Sequence, residues 1–304
     1  MSFHDTYDYA PEGVVRHARM VEELGFDSLW ITENVHSGAP ALEALVALAT
    51  FAAHTERVTI GSAVILLPLR NPIALAHTSA TLDRLSGGRL ILGVGAGNPM
   101  EEVFGAYGVS TSERGRRCDE YLEIITRLWT GEPVSHRGRY HRFDDYVLGA
   151  RPQQRPHPPI WIGGKADPVL RRTARFGDGF LPHSTGPQVY AGLLDRIDRY
   201  SEELGRDPPK VTKAVQLYLC MGESQAQARA MADLALSNRY LRRVTLPDGE
   251  ENRYAIGTAD DCARAIEAYI EVGATHFVFS AALPVAQVPG QVERLATQVI
   301  SRFR

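Results

Sequence analysis

Several things are scarce in this chain of 304 residues, and each scarcity closes off a class of function. There are only 3 cysteines, Cys118, Cys220 and Cys262, far apart and with no Cys-x-x-Cys spacing. That excludes a disulfide framework and a thiolate zinc site, and it points to free thiols in a reducing cytoplasm. Lysine occurs only at 165, 210 and 213, and the formal net charge is -3. A nucleic-acid-binding chain would carry a basic excess, so no nucleic-acid partner is expected. No apolar run reaches the ~18 residues that cross a bilayer, and Met1 to Tyr7 lacks the basic-then-apolar pattern of a secretion signal. His4, His136, His141 and His157 are scattered, and no His-x-x-x-His spacing suggests zinc, so no metal is expected. A Gly-x-Ser-x-Gly elbow and a Walker loop are also missing.

What is present is an ordinary soluble composition, 44% hydrophobic and 23% charged, with helices and strands in alternation. Val14, Val15, Ala18, Val21 and Leu24 recur at helical spacing, and Gly25 stops that helix. A strand over 27–33 follows, then a helix over 39–54, a strand over 58–64 and a helix over 72–85. The stretch 81–98 continues the pattern. A helix end leads through Ser86-Gly87-Gly88 into the wholly apolar strand Leu90–Val94, which must be buried on both faces. Further helices are expected over 112–129, 168–176, 187–204, 225–236, 258–272 and 288–303. Strands are expected at 160–162, 180–181, 211–220 and 275–280. Thr258-Ala-Asp-Asp261 reads as a capping box with Asp in place of Glu. Two segments break the rhythm: an extended, hairpin-like insert at about 131–150 and a polar, mobile loop at about 238–256.

This alternation, with no repeat and no linker, predicts one domain over 1–304 built on a parallel sheet. Eight strands would close a TIM-like (β/α)8 barrel, but only seven are visible. Ser2 to Tyr7 is short and polar, so the first strand is expected to be short or missing, leaving a gap beside the last one.

Candidate sites follow from the strand ends. Gly93, Gly95 and Gly97 place bare backbone where a strand opens into a loop, which suits either a cofactor floor or a tight packed turn. They fit the Gly-x-Gly-x-x-Gly fingerprint poorly, because position 98 is Asn and no helix starts at once, so a Rossmann domain is the weaker alternative. Gly163-Gly164-Lys165 stands between a strand and a helix, where free amides bind phosphate; otherwise the lysine is a solvated turn residue. Glu33, Asn34 and His36 end one strand and His183 another, on the face that is catalytic in such barrels. Glu33 could move a proton or simply form a salt bridge at a loop mouth, and His36 could equally be an exposed loop residue.

Leu82-Asp-Arg-Leu-Ser-Gly-Gly-Arg-Leu-Ile-Leu-Gly-Val-Gly-Ala-Gly resembles the signature of the bacterial-luciferase-like flavin- and coenzyme F420-dependent oxidoreductases. Further segments agree in order: Glu22 to Trp30, Gly61 to Pro72, Arg155 to Gly164, Gly177 to Phe180, and Gly273 to Val278. The resemblance implies a TIM-like barrel with insertions that uses F420 or FMN for hydride transfer. It also implies a non-proline cis peptide, mapping to Ala63 and Val64, behind the isoalloxazine ring. Phosphate contacts map to Gly163 and Gly164, with Lys165 beside them, and the glycine-rich strand end maps to Ala96, Gly97 and Asn98. Glu33 could orient the cofactor, and of the Glu-His-His that luciferase-like monooxygenases often have there only this Glu is retained.

Two departures qualify this. Sugar-phosphate dehydrogenases of the family have Asp-His after the second strand and Glu after the fourth, where this chain has Glu33-Asn34 and Asn98. Asn34 hydrogen-bonds but cannot relay a proton. The expectation is therefore an F420- or FMN-dependent oxidoreductase of a small molecule, with any acid or base drawn from His36, His183, substrate or solvent. F420 is preferred because arginine-rich coding accompanies it. An FMN monooxygenase using O2 and a non-enzymatic flavin-binding relative are the alternatives. The 131–150 insert and the 238–256 loop are read as lids, and exposed aromatics of the insert as a possible homodimer contact.

Overall fold

The computed structural model of the chain describes residues 1–3, 10–35, 41–206, 211–240, 242–247 and 251–304. Eight parallel strands form a closed ring: β1 (Ser2–Phe3), β2 (Ser28–Ile31), β3 (Thr59–Ser62), β4 (Leu90–Gly95), β5 (Ile160–Ile162), β6 (Gly179–Phe180), β7 (Thr212–Met221) and β8 (His276–Ala281). The first strand exists and is two residues long. Ser2 pairs with Trp30 on one side and with Ser280 on the other, so it fills the gap expected beside β8. Two residues cannot display a period, which is why the sequence hides them. Burial holds them in place: Met1 is 1% exposed and Ser2 0%, and a fully buried apolar side chain of this size contributes about 1.5–3 kcal/mol.

The helices obey their end signals. Asn71 accepts from the amides of Ile73 and Ala74 ahead of the helix Pro72–Leu85. Thr258 and Asp261 form the reciprocal capping box of the helix Ala259–Glu271. Differences from expectation are local. The second helix begins at Ala44, and a short helix at Glu101–Ala106 and a strand at Ala255–Gly257 were not foreseen. The last helix is three pieces, α-helical over Val288–Arg294, π over Leu295–Val299 and 3-10 over Ile300–Phe303.

The two insertions leave the barrel at different places. The insert forms an antiparallel hairpin, Val134–Arg137 with Arg142–Tyr146, in the connection from the helix Arg114–Leu128 down to β5. It folds back along that helix, where the Glu120 carboxylate accepts from the amides of Arg139, Tyr140 and His141. These bonds draw the carboxyl below its usual pKa, against the desolvation that would raise it. The hairpin is thus fastened to the outer helix Arg114–Leu128. The helix Gln225–Tyr240 and the segment after it leave the C-terminal end of β7, and Ala255–Gly257 pairs with Leu219–Met221. This second excursion rises from the mouth of the barrel.

Inside the ring, Trp30, Ala63, Ile91, Trp161, Leu181, Ala214 and Val278 form a core separate from the one between strands and helices. The Trp30 and Trp161 rings lie 4.9 Å apart. Gly61 and Gly179 permit this, since a Cβ on either would fall 2.3 or 2.4 Å from an indole carbon. Below them Ser28 Oγ accepts from Trp30 Nε1 and pairs with His276 Nε2. The barrel is plugged at its base, so any ligand must enter from the C-terminal end.

Candidate active site

One side of the mouth is built around a bulge. Ile60 and Gly61 pair with Leu90 and Ile91, whereas Ile65 and Leu66 pair with Val94 and Gly95. Three residues on one strand therefore face two on the other. The Ala63–Val64 peptide inside this bulge is cis, as the resemblance implied. Ser62 Oγ fills the place of the displaced ladder partner, accepting from the Gly93 amide at 3.0 Å and donating to the Gly93 carbonyl at 2.8 Å. The glycines of β4 and β5 are the other half of the device. A Cβ at Gly93 would lie 1.8 Å from the Ser62 carbonyl oxygen, and Cβ atoms at Gly95 and Gly163 would each lie 2.7 Å from a methyl of Val64. The glycines clear room first of all for the bulge and its valine.

Past the bulge, Leu66 donates its amide to Glu33 Oε2 at 2.5 Å, and Arg70 pairs with both Glu33 and Glu43. The Glu33 carboxylate is 2% exposed, so it acts first as the anchor of the segment behind Val64. Asn34 stands half-buried beside it, Ala96 and Gly97 are half-buried, and Asn98 is exposed. Gly97 takes φ +72° over Leu66 and Phe104. Glu33, Ala63, Val64, Gly97 and Gly163 are thus brought together at one rim. His36 lies outside the described residues.

After β5, Gly164 adopts φ +119°, open to glycine and strained for any other residue. The helix Asp167–Phe176 starts just beyond, and no side chain caps it. Exposed amides at a helix N-terminus are a ready site for phosphate. Lys165 is exposed beside them.

The opposite side of the mouth is aromatic and cationic. His183 bridges to Gln216 and places its ring 4.5 Å from that of Tyr218, which stacks on Tyr254 at 6.1 Å. The His183 side chain is exposed at the mouth. Desolvation, then the charges of Arg239, Arg253 and Lys165, pull its pKa down to about 4, leaving the imidazole neutral at neutral pH. Sequence reasoning missed Ser62, Arg70, Tyr218, Arg239, Arg253 and Tyr254. Arg70 closes the quoted Gly61–Pro72 neighbourhood and could have been paired with Glu33; the four from Tyr218 onward carry no local signal.

Elsewhere the polar groups are structural. Hollows of about 190 and 290 Å³ are lined by Asp261 and Arg264 and by Glu22 and Arg57. Asp261 caps its helix and Glu22 accepts three amides at 56–58. The cysteines are buried and unpaired, and burial pushes all three thiols up to about 12, too high for nucleophiles. Among the described residues no three His, Cys, Asp or Glu side chains stand close enough for a metal ion, and no helix is long and apolar enough to cross a membrane.

The family model of the luciferase-like monooxygenases matches residues 2–276. This chain belongs to the luciferase-like monooxygenase family. An F420-dependent glucose-6-phosphate dehydrogenase of Kineococcus radiotolerans is 32% identical, covering 95% of this chain and 91% of that protein. Among solved structures, the monooxygenase RslO1 from Streptomyces bottropensis superimposes with a TM-score of 0.85 at 25% identity, over 100% of this chain and 99% of that one. The oxygenating constituent of 3,6-diketocamphane monooxygenase from Pseudomonas putida, solved with FMN, shares the fold with a TM-score of 0.79 at 19% identity, covering 99% and 97%. The chain is thus a luciferase-like oxidoreductase on a TIM-type barrel.

Proposed function

We propose that the chain uses coenzyme F420 to transfer hydride to or from a small organic substrate at the C-terminal mouth of the barrel. The observation that carries this is the Val64 platform, wedged between Gly95 and Gly163 at the rim that Glu33 anchors. The residues fit a flavin-type group: an apolar rest at Val64, a glycine pair that leaves room for that valine, and an uncapped helix for the phosphate. Bound there, the deazaflavin supplies a two-electron hydride step.

The chain's own residues do the rest. Gly163 and Gly164 with the following helix bind the phosphate, and Lys165 adds charge. Glu33 holds the Leu66 amide so that Val64 cannot shift. Ala96, Gly97 and Asn98 form the adjoining rim. His183, neutral at working pH, holds or accepts a proton at a ring nitrogen, and Asn34 orients a polar group. The relatives are named as glucose-6-phosphate dehydrogenases, and the His and Glu that the resemblance implies for such enzymes are replaced here by Asn34 and Asn98, which supports a different substrate.

Absorbance or fluorescence titration with F420 and FMN, separately, tests the reading. Micromolar F420 binding with weaker FMN binding is expected; binding of neither overturns it. The likeness to RslO1 favours a second reading, an FMN monooxygenase, which tight FMN binding and substrate-dependent O2 consumption would establish. The buried thiols support a reducing, cytoplasmic location. Tyr146 and Val147, 40% and 51% exposed on the insert, support a homodimer, to be checked by sedimentation.

A further inference from the structure

The last turn of the helix Gln225–Tyr240 carries Arg239 into the mouth. The residue is 4% exposed, and its Nη2 donates to the Ala281 carbonyl at the end of β8 at 2.6 Å. Among the described residues Nε and Nη1, both buried, have no hydrogen-bond partner, and no carboxylate pairs with this guanidinium. The charges that bear on the nearby His183 are Arg239, Arg253 and Lys165, all cations. A buried guanidinium cannot shed its proton as a buried lysine can, so it calls for an anion. The walls around it are polar and aromatic: His183 against Tyr218, Tyr218 against Tyr254, and the Tyr218 and Tyr240 hydroxyls joined at 2.6 Å.

We propose that Arg239 is the floor of an anion subsite in the barrel mouth, which holds a carboxylate or phosphate of the substrate. This rests on the mouth being the reaction site. A planar guanidinium with free donors suits the two or three oxygens of such a group. The same chemistry could come from the cofactor's own acidic groups. The position of Arg239 against β8, away from Gly163 and Gly164, favours the substrate.

The test is calorimetric titration of inorganic phosphate into the full chain, with and without saturating F420, for wild type, Arg239→Met, Arg239→Lys and the distant control Arg137→Met. Wild type and Arg137→Met should bind alike, Arg239→Met at least tenfold more weakly, and Arg239→Lys in between. Binding that persists when F420 is saturating supports the substrate as source. Its loss on F420 addition assigns the anion to the cofactor and overturns the substrate assignment. Equal affinity in wild type and Arg239→Met overturns the subsite. Should Arg239→Met fail to fold by circular dichroism, the Arg239→Lys affinity decides, an unchanged value counting against the proposal. Arg239-dependent phosphate binding without any F420 binding would sink the proposed function and leave the subsite standing.

Discussion

The two sides of the barrel mouth are built from opposite materials. The β2–β5 side is backbone: glycines, a bulge, a cis peptide and one buried carboxylate that anchors an amide. The β6–β8 side is side chain: a neutral histidine, tyrosines and arginines reaching in from an excursion after β7. The difference separates two tasks. On the proposed function, a cofactor of constant shape would meet a rigid surface in which nothing can be added, whereas a substrate would meet groups that can be exchanged without disturbing the sheet.

The sharpest break of this comparison is Gly93→Ala. Its methyl would collide with the Ser62 carbonyl, backbone against backbone, so neither side can yield. A loss of about 3 kcal/mol or more in urea unfolding, or no folded protein, is expected. A substitution on the other side, Tyr254→Phe, should stay within about 1 kcal/mol of wild type in the same assay.

The next effect is on binding. Glu33→Gln keeps an acceptor for the Leu66 amide but loses the charge that holds Arg70. F420 affinity should fall about tenfold, near 1.4 kcal/mol, in a fluorescence titration. An unchanged affinity would mean that Val64 needs no anchor.

The smallest effect is a titration. His183 has its pKa lowered in the fold, so between about 4 and the ordinary 6.5 the unfolded chain binds more protons. Its stabilising contribution is complete above pH 6.5 and is lost as pH falls towards 4. His183→Gln should flatten melting temperature against pH in that window, and nuclear magnetic resonance should place the ring's midpoint below 6. A midpoint at 6.5 would show that the cationic side of the mouth does not bear on it.

Much of this was legible in the residues. The alternation gave the barrel, Thr258 and Asp261 gave a capping box, and the ordered segments placed the cis peptide at Ala63–Val64. The β2–β5 side could be read because its requirements are steric and fall on consecutive residues: a glycine is needed where nothing else fits. Ser2–Phe3 could be expected only as short or missing because two residues show no period, and the insert at 131–150 could be read as a hairpin but not placed against Glu120, because a sequence does not say on which side of a helix a hairpin folds back.

By itself, then, the sequence determined the order of strands and helices, the glycines at the strand ends and the family they resemble, since these rest on local sterics and periodicity. Only the tertiary structure decided that two residues close the ring, that Glu33 serves an amide and an arginine, and that Arg239 lies buried with two donors unpartnered among the described residues. Burial and charge are sums over neighbours far apart in the chain, and those neighbours exist only once the barrel has closed.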